Sequence, residues 1–467
     1  MLKKLLLLAG VLGTGPAQAQ VANGLTPAAP LNDLKIVYFG SSVPFGQGAT
    51  NKYGYTARYS TQLARRAAAG QGAPWVTANI SISGNSTVQV LERWDRDLLP
   101  QQARYVVYAL ALGNEGIHGG GQPKFDQFKT NMQKLIGMAR EKGMVPVVTN
   151  SYTRNDYTAT DYAFIKQMNL LLHAWAVPTV NMLGAVDDGQ GHWATGYWDD
   201  ALHPNNLGHA ELMHAIVPSL FDALRAGKAI PRKQATSYVT LTKGRRSLPP
   251  SAIRFTPEAL VHPFTQVISF RISAPGQLLE LQDSTGAGYL RVERRGQLTY
   301  ASAKAGHLTS TARVTDNKWH HLTLTHYYAR GETLLYLDSA LVGRLPEKLL
   351  TKQLTIGGKK APARVQFRNW LFYRSGMNQE EVQAMAADSL LKSSLELYAP
   401  LDGRRTSTPD SLANLAQSTN TLARVGGPTP SLGRRSEPKN WLRSYVMSLR
   451  AGTPSGTLAL KEGPVRF

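Results

Sequence analysis

The residues with the clearest chemical potential stand near position 200, in Asp199-Asp200-Ala201-Leu202-His203-Pro204-Asn205. Two residues separate Asp200 from His203, just ahead of a proline that cannot sit inside a helix but suits its start. That spacing lets a carboxylate reach the ring of a histidine one turn away, fixing its tautomer and favouring the imidazolium. Such a histidine can serve a hydroxyl supplied from elsewhere in the chain. Three earlier segments offer partners: Ser42 in Gly40-Ser41-Ser42-Val43-Pro44-Phe45-Gly46, Gly84 in Ser83-Gly84-Asn85-Ser86-Thr87, and Asn114 in Leu112-Gly113-Asn114-Glu115-Gly116. Taken alone, each reads first as turn or loop chemistry.

The elements around them weigh the two readings. Apolar runs at 35–39, 75–80, 105–112, 145–149 and 179–182 read as strands. Segments of helical period at 53–69, 86–98, 124–142, 159–175 and about 205–227 alternate with them. Near-continuous apolar strands separated by helices predict a parallel sheet buried on both faces. Reactive groups in such sheets gather beyond the C-terminal ends of the strands. Ser42, Gly84 and Asn114 follow the first three strands at those ends.

With 467 residues the chain is long enough for two or three domains, and 42% apolar with 18% charged residues excludes wholesale disorder. The absence of cysteine removes thiolate nucleophiles, disulfides and Cys-ligated zinc. No His-Glu-x-x-His occurs and the histidines show no compact ligand spacing, so metal hydrolysis is not the expected chemistry. His209 and His214 fall on the helix after the site and read as capping, packing or surface residues. His192, Asp187 and Asp188 read as a solvated loop. Lys3 and Lys4, the apolar run 5–12 and Ala17-Gln18-Ala19 read as a signal peptide over 1–19, too short to cross a bilayer. The expectation is therefore an exported protein, periplasmic or extracellular, with no transmembrane segment and no cysteine for a lipid anchor.

The four blocks, in this order, resemble the SGNH (GDSL-type) hydrolases over about residues 34–227. The resemblance implies an α/β three-layer sandwich with a parallel, flavodoxin-like sheet. It also implies roles: Ser42 as nucleophile with Gly46 four residues on, His203 as base and Asp200 as its orienting carboxylate. The oxyanion donors would be the Ser42 amide, the Gly84 amide and the Asn114 side chain. An acyl-enzyme would form, with no cofactor required. Two positions depart from the family pattern: Ser41 stands where an aspartate is usual, and Leu112 where a glycine is usual. They leave the reaction type intact and put the substrate in doubt; they also motivate an alternative in which the domain has lost turnover.

The second half has a different character. Residues 20–230 hold 17 Lys/Arg against 15 Asp/Glu, whereas 231–467 hold 33 against 16. An excess of that size suits an anionic polysaccharide or envelope surface, or simply keeps the protein soluble; nucleic acid is not the expected partner. Residues 229–250 read as a linker or entry segment after a hydrolase domain spanning 20–228. Short β-rich runs with turn signals then predict antiparallel sheets. Three pieces resemble a concanavalin A-like, laminin-G-type jelly roll over about 236–427: Trp319-His320-His321-Leu322, the run from Val365 to Val382, and Leu395 to Asp402. Such domains often bind glycans and sometimes calcium, but no ligand or calcium position is legible here. Trp319, Trp370 and Tyr373 read as core residues. Residues 428–467 form a basic C-terminal segment with an apolar patch around 441–449. The sequence therefore predicts an exported serine esterase acting on an acylated carbohydrate, with a lipid or aryl esterase, or an inactive glycan-binding protein, as alternatives.

Overall fold

The structure, a computed structural model, describes residues 30–234, 237–244, 250–402, 411–425 and 431–434. The leader reading of 1–19 and the apolar patch at 441–449 lie outside the described residues.

Five parallel strands form the first sheet: β1 (Asn32–Gly40), β2 (Val76–Asn79), β3 (Ala103–Ala109), β4 (Val145–Thr149) and β5 (Thr179–Val180), in the order β2-β1-β3-β4-β5. Alternation along each strand feeds two separate cores. Val37, Phe39, Val106, Tyr108 and Val148 face one layer with Phe128, Leu135 and Ile165. Ile36, Tyr38, Tyr105, Val107 and Val147 face the other with Tyr59, Leu63 and Phe221. Burial on both sides is why these strands are apolar throughout.

Several boundaries differ from expectation. The third strand ends at Ala109, and Leu112–Glu115 is a helical turn; the sequence there is apolar because the turn is itself buried, not because it is strand. The helix expected over 205–227 is two, Asn206–His214 and Leu220–Arg225, divided where Pro218 removes a backbone donor. The long helix Ile117–Glu141 opens irregularly, with His118, Gly119 and Gly121 outside helical geometry.

Beyond Gly227 two antiparallel sheets face one another. One has Gly276–Asp283 and Thr351–Gly357 near its centre; the other has Phe264–Arg271, His320–Tyr327 and Val365–Tyr373. Ile253, Leu279, Leu281, Leu354 and Ile356 of the first pack against Phe270, Leu322, Leu324, Phe367 and Phe372 of the second, which makes a β sandwich. Ser237–Leu241, where the expected entry segment overlaps the expected jelly roll, is a strand of this sandwich, and Ser431–Arg434, in the basic C-terminal segment, pairs with it antiparallel. Among the expected core aromatics, Trp370 and Tyr373 are fully buried, but Trp319 is only half-buried, with the guanidiniums of Arg271 and Arg368 over its ring at 5.2 and 4.3 Å.

The sandwich is seated on the first half of the chain. Leu170 joins a cluster with Val267, Tyr327, Leu371 and Val382. Gly184 lies so close to the sandwich that a Cβ there would stand 1.8 Å from the Gly376 carbonyl oxygen, and Gly376 N donates to Gly184 O at 3.0 Å. The Asn181 side chain donates to Glu381 at 2.9 Å.

Candidate active site

The strand carrying Ser42 approaches its neighbour as closely as a backbone can. A Cβ on Gly40 would stand 2.1 Å from the Ala109 carbonyl oxygen, so only glycine ends β1 there. Ser42 then opens the four-residue turn Ser42–Phe45, closed by Gly46 at φ +99° with its N–H donating to the Ser42 and Val43 carbonyls. The side chain of Ser42 is nearly buried, and its Oγ lies 3.0 Å from His203 Nε2.

The loop of Asp200 holds that imidazole. Asp200 Oδ1 accepts from the amides of Leu202 at 2.7 Å and His203 at 2.8 Å, a side-chain-closed turn that fixes the carboxylate beneath the ring. Both carboxylate oxygens then lie 2.9 Å from His203 Nδ1. A carboxylate only accepts, so Nδ1 carries the hydrogen and Nε2 presents its lone pair to Ser42. Burial works to raise the Asp200 carboxyl. The hydrogen bonds from His203 and Leu202 outweigh it and hold the group below the usual carboxylate range. Asn205 follows as the cap of helix Asn206–His214, accepting from Leu207 and Gly208.

The second and third loops are tied to the first. Ile82 N donates to Gly40 O at 3.1 Å, and Asn114 Nδ2 donates to Asn85 O at 3.1 Å. Gly84, between them, sits at φ +82° on the exposed crest of its loop, where its N–H has no partner among the described residues. An amide so placed and a carboxamide one loop away are the kind of donors that stabilise a developing oxyanion. All five residues named from sequence thus lie on a connected set of loops at one edge of the sheet. The direct contact among them is the Asp200–His203–Ser42 line.

Two positioning residues, Arg93 and Asn206, escaped the sequence reading, and a third, His209, has the packing role it allowed. Arg93, 4% exposed, donates to Asn85 Oδ1 at 2.7 Å, Ile80 O at 2.8 Å and Gly40 O at 3.5 Å, binding the second loop to the end of β1. Its one local signal was Asp97 four residues on, its ion-pair partner at 2.9 Å. Asn206 accepts from Thr50 N at 3.0 Å and donates to Thr50 Oγ1 at 2.8 Å. His209, fully buried, donates from Nε2 to Gln47 O at 2.8 Å and accepts at Nδ1 from Tyr55 N at 3.2 Å. Burial, against the help of the Gln47 carbonyl, lowers its pKa to about 4. The helix after His203 is thereby stitched to the loop after Ser42. His214 is half-buried against the His262 ring at 4.2 Å, whereas Asp187, expected in solvent, is buried in an ion pair with Arg330.

Among the described residues, no group of three or more His, Asp or Glu side chains is placed to hold a metal ion. No helix of the described residues is long and apolar enough to cross a membrane.

Residues 38–211 match the model of the GDSL-like Lipase/Acylhydrolase family. This stretch of the chain is a GDSL-like acylhydrolase domain, a carboxylic-ester hydrolase. No protein of curated function matches the chain. Solved structures similar to it include a variant of an acetyl-xylooligosaccharide esterase from Geobacillus Stearmophilus, at 15% identity and TM-score 0.34, covering 40% of this chain and 94% of that one. A GDSL-like lipase from Bacteroides thetaiotaomicron aligns at 14% identity and TM-score 0.33, covering 41% and 89%. A SAP-like pentraxin from Limulus polyphemus aligns at 8% identity and TM-score 0.32, covering 44% and 97%.

Proposed function

We propose that the protein is an exported serine esterase that removes acyl groups from a carbohydrate through an acyl-enzyme. The observation that carries this reading is the 3.0 Å approach of Ser42 Oγ to a His203 whose opposite nitrogen is held by Asp200. A serine hydroxyl is a weak nucleophile at neutral pH and needs such a base. Ser42 Oγ attacks the acyl carbon as its proton passes to His203 Nε2. The Ser42 and Gly84 amides and the Asn114 carboxamide receive the negative oxygen. On collapse the C–O bond to the alcohol breaks and His203 returns the proton to the leaving oxygen. Water, deprotonated by the same histidine, then releases the acid.

The departures at Ser41 and Leu112 touch no reacting atom. Ser41 is wholly buried, and the Leu112 amide is used by Ser151 Oγ at 3.1 Å. The carbohydrate part of the reading rests on export and on the sandwich, whose resemblance to laminin-G-type jelly rolls and whose basic charge suit a glycan-binding module. Labelling by a fluorophosphonate tests the enzyme: the wild-type chain should react at Ser42 and hydrolyse 4-nitrophenyl acetate, and Ser42→Ala and His203→Ala should do neither while keeping the wild-type melting curve. Hydrolysis that survives Ser42→Ala rejects the assignment.

A further inference from the structure

Nine large apolar side chains are exposed among the described residues, and six of them lie on the loops and helix ends that carry and flank Ser42 and His203: Phe45, Tyr53, Ile82, Trp198, Leu202 and Leu207. A soluble protein has no folding reason to gather its exposed apolar surface around one site, and such a patch marks a place of contact. Two of the six carry broad rings, Tyr53 at 41% exposure and Trp198 at 43%.

Both rings sit on rigidly held backbone. The two loops pack directly, since a Cβ on Gly48 would stand 2.2 Å from the Pro204 carbonyl oxygen and 3.2 Å from Asp199 Cβ. The Tyr53 loop is fastened by Asn206 at Thr50 and by His209 at Gln47 and Tyr55. Within it Asn51 and Lys52 stand at φ +51° and +55°, a left-handed conformation that costs free energy in residues other than glycine. The result is a strained, exposed Asn51-Lys52-Tyr53 presented beside the catalytic loop. The Trp198 loop is closed by the bridge from Trp198 to Pro204 and by Asn205 Nδ2 on Trp198 O at 3.2 Å.

The chemistry around Tyr53 indicates the ligand class. Thr50, Asn51, Tyr53, Arg58 and Asn206 line an open depression of about 580 Å³. Arg58 lies over the Tyr53 ring at 5.1 Å and holds it. A ring flanked by amide and guanidinium donors matches a sugar, which offers an apolar C–H face and a rim of hydroxyls. An anionic lipid surface would call for a cationic excess, and residues 20–230 carry 17 Lys/Arg against 15 Asp/Glu.

We infer that this face is a docking surface for the polysaccharide that bears the ester, with Tyr53 and Trp198 as platforms for its sugar rings. The inference rests on the esterase reading above and goes further by naming where the polymer lies. Tyr53→Ala, Trp198→Ala and Tyr53→Phe test it, assayed on acetylated xylan, glucomannan and alginate and on 4-nitrophenyl acetate. The ratio of polymer to aryl-ester kcat/KM should fall roughly 3- to 10-fold for each alanine variant and hold for Tyr53→Phe. An unchanged ratio, an equal loss with Tyr53→Phe, or a wild-type enzyme that turns over the aryl ester but none of the three polymers overturns it. So does a loss confined to binding phosphatidylcholine–phosphatidylglycerol vesicles. Failure of the esterase reading would appear separately, as a wild-type chain inert toward 4-nitrophenyl acetate.

Discussion

Arg330, on the sandwich, donates through Nη2 to the buried carboxylate of Asp187 at 3.1 Å, with Tyr162 OH on the same oxygen at 2.7 Å. Asp187 opens the stretch that ends in the Asp200–His203 pair. Its Oδ1 accepts from Gly189 at 2.9 Å, and Trp193 Nε1 and Asn155 N both donate to Ala201 O, at 3.3 and 2.8 Å, next to Asp200. Lys348, also from the sandwich, reaches Tyr197 OH at 3.2 Å on the same stretch. The second half thus buttresses the loop of the first that carries Asp200 and His203.

Arg330→Ala should therefore lower kcat as well as stability. Breaking a buried ion pair from one side costs roughly 3–5 kcal/mol, because the carboxylate is left desolvated and unpaired. Arg330→Ala combined with Asp187→Asn should recover much of the loss. Thermal melts and steady-state kinetics on the single and double variants check this, and additive losses would show that the two residues act independently.

Asn114→Asp should cut kcat by roughly 10²–10³-fold on 4-nitrophenyl acetate. The substitution replaces a donor by a negative group that faces both the Asn85 carbonyl and the developing oxyanion. KM should move far less than kcat.

Asp200→Asn separates charge from geometry. The amide oxygen can still accept from Leu202 and His203, so the turn persists, while His203 loses its anionic partner. The expected loss in kcat is roughly 10²–10⁴-fold with an unchanged melting temperature. In the wild-type enzyme, titration of Asp200 should appear in kcat/KM only below the usual carboxylate range, because the carboxyl is held low. A pH–rate profile on the small ester reads both.

His209 sets an acid limit on stability. Its folded pKa, about 4, lies below the ordinary 6.5. The unfolded chain therefore takes up a proton first as pH falls. The stabilisation is fully present above about pH 6.5 and is lost as pH drops toward 4. His209→Ala should be less stable at pH 7.5, and its melting temperature should fall less between pH 6.5 and 4 than that of the wild type. Parallel curves would contradict the assignment.

Much of this was legible in the sequence because it is local. Asp200 and His203 are three residues apart, and apolar runs such as 145–149 appear at their true bounds because both faces are buried. What was not legible is long-range. Nothing near Arg93 announces that it will meet the Gly40 carbonyl, and nothing near Asp187 announces Arg330, 143 residues away. The pairing of Ser237–Leu241 was hidden because its strand partners lie more than a hundred residues downstream, while Lys, Arg and Pro dominate on either side of it. Trp319 follows the hydrophobic rule by type but stands on the guanidinium-lined outer side of its sheet, a distinction that residue type does not encode.

The seam between the halves also bears on how the chain can be cut. A polypeptide stopping at Gly227 would strip Asp187 of its guanidinium, Glu211 of His262 at 2.7 Å and the Ser219 amide of Glu258 at 2.9 Å, all in one stroke. Cut in that way, the first half keeps two buried carboxyl groups without their cationic partners and a backbone donor without its acceptor, so excising it trades a shorter gene for a weakened fold.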